Sequence, residues 1–412
     1  MVKNRFFIIA AILLITGQSI RAMVYDNRYF PLFPLPYVTM ADRNSYVTTS
    51  LFATTASKLF QREDNEIGLQ ELWGNYNQAT VARAIECAGK PNLLLPIWRG
   101  YDLKWHMEGK QQSQGFSLSF EKSIGDWFFF GANTLFMRVD AYTEFSYDDD
   151  PTNARISNVG NILELDEIRR KMNDQLGLCA DHVSQVGFGD FDIYVGGFKH
   201  WDYAYKFRRI YTDFRFGVLV PTGVKWDMHK LGSVPFGGNG HWGIYASNWS
   251  EFEVKEDWKA GFILRVSRRF EKVVCSRMPI KGEPLFFAPV IGEVVIDPAP
   301  TLAFAPYFSM ENLREGLGLR VVYTLRYHGR DFWCDARKES NSIPVELQEV
   351  RDFTSWNADY FTLNAFYDFG KTKVEREFEP IVYAAWDIPS AMLATKRIAK
   401  TNRISLGVQL TF

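Results

Sequence analysis

The chain predicts an all-β protein: a transmembrane, antiparallel up-and-down β-barrel of about twelve strands, within a range of twelve to fourteen. Three observations predict it: an amphipathic last strand, an export-type N-terminus with no second hydrophobic helix, and connections that alternate short and long. The last stretch, Arg403–Phe412, sets Ile404, Leu406, Val408, Leu410 and Phe412 against Ser405, Gly407, Gln409 and Thr411. Successive strand side chains point to opposite faces, so one face is apolar and the other polar. A tilted strand of about ten residues crosses the hydrocarbon core of a bilayer.

At the other end, Lys3 and Arg5 precede an apolar run from Phe6 to Ile15, followed by small residues up to Ala22. That order is a secretory signal peptide, residues 1–22. Beyond it no run approaches the roughly eighteen apolar residues of a membrane-crossing helix. An exported chain without one enters a membrane only as a closed barrel. Residues 23–45 follow, with Pro31, Pro34 and Pro36 among tyrosines and phenylalanines. Proline at this density resists helix and central strand, so an extended arm is expected, either a plug in the lumen or a periplasmic tail. The barrel then occupies 46–412.

Strands are expected near Tyr46–Phe60, Gln112–Ile124, Trp127–Tyr147, Phe188–Tyr205, Arg208–Val220 and His241–Val254. Six more follow near Trp258–Phe270, Thr301–Met310, Gly316–Phe332, Trp356–Phe369, Phe378–Ile388 and Asn402–Phe412. Tight turns fall at Gly125-Asp126, Lys206-Phe207, Lys255-Glu256, Asn312–Glu315 and Gly370–Glu377; the intervening connections are long. A meander with long outer loops and short periplasmic turns sorts its loops in this way. Two long connections carry helical periodicity, Gln78–Ala88 and Ile162–Leu176. Closure requires the last strand to pair with the first, near Tyr46–Phe60.

Charged residues in the strands cannot face lipid, where an Arg or Lys at the midplane costs about 2–4 kcal/mol. Asp213 and Arg215 oppose Phe214 and Phe216, and Arg265 opposes Leu264 and Val266. Arg320, Arg326 and His328 oppose an apolar row from Leu317 to Tyr327. In the strand after Gly125, Arg138, Asp140 and Glu144 oppose Met137, Val139 and Ala141. All nine are expected to line the lumen. Lys199 falls in phase with the apolar row Phe191, Ile193 and Val195, and His241–Val254 has no clean phase; a β-bulge would repair either. Trp127, Phe129, Trp201, Tyr203, Tyr205 and Trp258 lie beside tight turns, as an interfacial girdle would place them.

The 47 basic and 48 acidic residues leave a net charge of -1, so nothing points to nucleic acid or another polyanion, and no nucleic-acid partner is expected. Cys87, Cys179, Cys275 and Cys334 all fall in long connections; they permit disulfides in three full pairings, or remain free thiols, and match no metal spacing. The six histidines are scattered, no catalytic constellation or cofactor motif is legible, and no enzyme is expected. Gly187-Phe-Gly-Asp190 and Phe236-Gly-Gly-Asn-Gly240 lack the Lys and hydroxyl of a phosphate loop.

The terminal strand ending in Phe412 resembles those of bacterial outer-membrane barrels. That resemblance implies an outer-membrane location, contact with its lipid, and engagement of the barrel assembly machinery through this strand. The stretch Gly187-Phe-Gly-Asp-Phe-Asp-Ile-Tyr-Val-Gly-Gly197, with Val220-Pro-Thr-Gly223 one hairpin later, resembles outer-membrane transporters of the phenol-degradation and FadL-like group. The Asn-Pro-Ala start of FadL-like mature chains is missing here, and the group has fourteen strands. The resemblance implies passage of small solutes, hydrophobic or aromatic, through a channel with a plug or inward loops. The alternative expectation is a structural or surface-interaction barrel with an occluded lumen.

Overall fold

The computed structural model describes residues 27–30, 45–62, 65–147, 162–178, 182–338, 343–372 and 379–412. The signal-peptide segment, most of the arm and Cys179 lie outside them. Twelve strands form the barrel wall: β1 Tyr46–Ala56, β2 Lys104–Ile124, β3 Phe128–Tyr147, β4 Phe191–Asp202, β5 Arg209–Val220, β6 Gly243–Lys255, β7 Trp258–Arg269, β8 Thr301–Arg314, β9 Leu317–His328, β10 Trp356–Asp368, β11 Ile381–Ser390 and β12 Asn402–Thr411. Each pairs antiparallel with its sequence neighbours, and β1 pairs β12 from Tyr46↔Thr411 to Thr55↔Asn402. The sheet is therefore a closed cylinder with no unpaired edge along its wall. Tyr46, Thr411 and the tight turns share one end; the long connections share the other.

The outer surface carries the apolar rows. On β2 and β3 the paired residues Ile124↔Phe128, Phe120↔Ala132, Leu118↔Thr134 and Phe116↔Phe136 face out. The next outward rungs, Gln114↔Arg138, Gln112↔Asp140 and Glu108↔Glu144, are polar. The change from apolar to polar marks where the wall leaves the hydrocarbon, since these strands run 21 and 20 residues and about ten suffice to cross. Arg138, Asp140 and Glu144 are consequently on the outside, which corrects their expected place in the lumen. Arg138 has a 52% exposed side chain and pairs with Asp140 at 2.9 Å. Met137, Val139 and Ala141, on the other face, are buried. Above the bilayer, water outside and an apolar cap inside reverse the sense of the alternation.

The two irregular strands need no bulge at the proposed places. Lys199 faces out at the turn end, its Nζ 5.3 Å from the ring centroids of both Trp127 and Trp201. A lysine there keeps its ammonium at the interface while its stem lies on the aromatic girdle. Trp242, just before β6, and Phe252 within it do share the outer face, interrupted by Asn248 and Ser250. Asn248 Nδ2 donates to Thr212 Oγ1 at 3.0 Å and to the Asp213 carbonyl at 2.9 Å, and Ser250 Oγ donates to Asn248 Oδ1 at 3.1 Å. The polar groups satisfy one another on the lipid face, which lowers the cost of placing them there. Phe129 does not join the girdle; it turns inward.

Inside, six glycines each sit directly across from an aromatic ring on the neighbouring strand: Gly131↔Tyr194, Gly196↔Phe129, Gly217↔Tyr245, Gly261↔Tyr307, Gly318↔Phe366 and Gly407↔Tyr383. A Cβ at any of the six would overlap that ring, so the rings lie flat along the wall. Gly217→Val is expected to lower the detergent unfolding midpoint of the barrel, at a cost of about 1–3 kcal/mol or more. Val218→Leu, on the lipid face one residue away, is expected to leave it unchanged.

The long connections fold into a cap. Its helices are α1 Gln78–Cys87, capped by Asn77 through Ala79 N and Thr80 N; α2 Ile162–Gln175; and α3 Gln348–Thr354. Ala82, Ile85, Leu165, Met172, Phe287 and the inward Trp105 and Met107 of upper β2 form one core. A three-stranded sheet, Lys272–Met278, Val290–Asp297 and Phe332–Asp335, covers a second. Buried Arg277 ties three connections together, donating to the carbonyls of Met228 at 2.7 Å, Ala288 at 2.9 Å and Leu176 at 2.8 Å. Burial pushes its pKa down to about 10, which leaves it a cation at neutral pH. Cys87, Cys275 and Cys334 are exposed free thiols, so no disulfide joins these three.

Candidate functional site

The six inward charges expected from sequence do face the interior, but they are buried within the lumen. Arg215 lies 2.9 Å from Asp213 and 3.6 Å from Glu121, to which Tyr194 donates at 3.0 Å. Lys259 lies 2.8 Å from Glu311 and 3.6 Å from Glu251, which accepts from Tyr307 at 2.6 Å. Arg265 packs 3.6 Å over Tyr245 and 3.8 Å from Asp192. Arg320 stacks 5.0 Å over Tyr307, and Arg326 is buried. Arg403 meets Asp387 at 2.5 Å, and Asp387 accepts from Thr362 at 2.5 Å. Opposite charges at these distances neutralise one another and fill the interior from the tight-turn end, around Glu121 and Lys259, up to Arg403 and Asp387 at the level of Thr54. This is a packed interior, unlike a wide polar pore.

A cavity of about 130 Å³ lies higher, where the cap meets the barrel. Its walls are aromatic: Tyr29, Trp73, Trp226, Trp333 and Trp356. Each ring arrives from a different segment. Trp73 ends a 3-10 turn, Leu69–Trp73; Trp226 follows β5; Trp333 sits in the cap sheet; and Trp356 opens β10. The indole nitrogens of Trp226 and Trp333 are buried donors with no partner among the described residues.

The floor is polar and held rigidly. Gly237, Gly238, His241 and Arg269 line it, and Asp190, fully buried behind them, accepts from Gly223 N at 2.9 Å and Gly238 N at 2.8 Å and pairs with Arg269 at 2.5 Å. Arg269 also donates to the His241 carbonyl. These contacts give the two glycine motifs their structural role. The Gly-Asp turn supplies the acceptor, and Pro-Thr-Gly and Gly-Gly-Asn-Gly supply backbone donors brought within reach. A Cβ at Gly237 would meet the Asp190 carboxylate, and one at Gly238 the Arg269 guanidinium, so only glycine permits this approach. Beside them, His328 contacts Thr301 Oγ1 at 2.8 Å and Asp331 at 3.0 Å, and its ring stacks on Trp356 with centroids 5.4 Å apart. His328 is the single expected lumen residue that lines the chamber.

The roof comes from the arm. Asn27, Arg28 and Tyr29 are buried. Arg28 donates to the Phe353 carbonyl at 2.7 Å and lies 3.9 Å over Trp73; Ala399 N donates to the Arg28 carbonyl at 3.1 Å. Thr401 donates to the Tyr29 carbonyl at 2.9 Å. Sequence reasoning missed the four tryptophans because nothing in their spacing ties positions 73, 226, 333 and 356 together.

A closed cylinder with an apolar outer belt and an aromatic-walled chamber at one end defines a transmembrane β-barrel. No family model matches the chain, and no curated protein matches it. Among solved structures it is similar to an outer membrane channel from Pseudomonas putida F1, over 92% of this chain and 100% of that one, with 9% identity and a TM-score of 0.49. A FadL homologue from Pseudomonas aeruginosa matches over 90% and 91%, with 10% identity and a TM-score of 0.35. The β domain of the Bordetella autotransporter BrkA matches over 90% and 100%, with 9% identity and a TM-score of 0.31. The assignment to barrels rests on the strand register itself.

Proposed function

We propose that this protein is an outer-membrane transporter for small aromatic or amphipathic solutes, closed in the resting state. The observation that carries the reading is the chamber: five aromatic rings around about 130 Å³, above a fixed polar floor and below a segment of the arm. Apolar walls with a few placed polar groups are the usual make-up of a small-molecule site. The unpartnered indole donors favour solutes that carry an acceptor. Export through the signal segment, residues 1–22, and engagement of the assembly machinery by β12 and Phe412 belong to this reading. So does a plug role for the arm, supported by the buried contacts of Asn27–Phe30.

The packed lower lumen favours a second reading, a sealed structural barrel. Binding separates the two. Titration of the folded protein in detergent with a neutral aryl glycoside is expected to quench tryptophan fluorescence with saturation. A linear, non-saturating response would instead support the sealed barrel.

A further inference from the structure

Two further cavities adjoin one another and the chamber through shared lining residues. The first, of about 660 Å³, lies on the outside wall above the apolar belt, between the hairpin that follows β1 and upper β2. The second, of about 300 Å³, shares Gln61, Glu71 and Asn75 with the first and Trp73 and Leu285 with the chamber. It borders both, a vestibule beside the chamber. Among the described residues three carboxylates line it, Glu71, Glu283 and Glu349, and no lysine or arginine does. Glu71 has local contacts, Met107 N at 3.1 Å and His106 at 3.5 Å; Glu283 accepts from Ile280 N at 2.7 Å and Lys281 N at 2.8 Å.

The vestibule's aromatic walls, Trp73 and Phe353, already hold cations of this chain. Arg28 lies 3.9 Å over Trp73, and Arg397 lies 4.8 Å over Phe353. Rings that seat a guanidinium also attract an organic ammonium group. We infer that the vestibule is a charge filter, admitting organic cations with an aromatic or other flat apolar body and rejecting organic anions. The inference rests on the transport reading and narrows its substrate class. Burial raises the pKa of both Glu283 and Glu349, and repulsion from Glu346 adds to it, so an organic cation seated among the carboxylates favours their charged forms. At the Trp73 end, an entering cation competes with Arg28 for the same ring, which couples entry to loosening of the arm.

The test uses the full-length protein in proteoliposomes with two permanently charged probes of similar size, phenyltrimethylammonium and benzenesulfonate, and a neutral aryl glycoside. The cation is expected to enter at least about tenfold faster than the anion. In a Glu71→Gln, Glu349→Gln double variant whose folded gel mobility is unchanged, that ratio is expected to fall towards one. Equal entry of both ions, or an unchanged ratio in the variant, overturns the filter. Entry of the glycoside without either ion also overturns the filter while the transport reading stands. If none of the three enters, both readings fall.

Discussion

Asp190→Ala is expected to lower the stability of the barrel further than truncation of any side chain that lines the chamber. The carboxylate is fully buried, answers a fully buried Arg269, and accepts two backbone N–H groups from distant points of the connection 221–242. Removing one partner of a buried pair leaves an uncompensated charge, at a cost of about 3–5 kcal/mol. Two backbone donors lose their acceptor as well, at about 1–3 kcal/mol each where water cannot replace it. The measurement is the temperature at which the compact, fast-migrating form in detergent converts to the unfolded band. A fall of many degrees is expected for alanine, and a smaller one for Asp190→Asn, which keeps an acceptor but loses the charge. A wild-type midpoint in Asp190→Ala would show that the two glycine motifs are not held through this residue.

The second large effect is functional. Trp73 lines both the chamber and the vestibule and carries Arg28 on its ring. Trp73→Ala therefore removes a wall of the site and the seat of the arm together. Affinity for an aryl glycoside is expected to drop about fivefold or more, given about 1–3 kcal/mol for stacking on an aromatic side chain. Trp73→Phe should recover most of it, because a flat ring remains. Trp226, Trp333 and Trp356 still report binding by fluorescence in either variant. Equal affinity in the alanine variant would move the binding site elsewhere.

Most of the wall is legible in the sequence. Period-two alternation between lipid and lumen is a strong local signal, and all twelve expected strands overlap observed ones. Closure through Tyr46–Ala56 follows although that strand is rich in threonine and alanine, because register, more than propensity, fixes the pairing. The errors have a common origin. Placing Arg138, Asp140 and Glu144 in the lumen applies a rule valid only inside a bilayer, and upper β3 stands above it. The expected strand Gln112–Ile124 in fact begins at Lys104, since its upper half lies against the cap core. The expected strand Tyr46–Phe60 divides at Ser57, and its second part pairs with Asn65–Gly68 and Ile398–Ala399.

The site is barely legible. Gly187–Asp190, Pro221–Gly223 and Phe236–Gly240 stand out as motifs, but their meeting at Asp190 depends on contacts 33 and 48 residues apart. The aromatic walls come from four connections and strand ends, and only the tertiary structure joins them.

The central claim is a solute route through an interior that is closed at rest. It is tested most directly by planar-bilayer recording combined with solute uptake on the same purified protein. The expected result is no steady ohmic conductance in salt alone, with saturable uptake of an aromatic solute. A stable open conductance without solute, or uptake that rises linearly without limit, would contradict it.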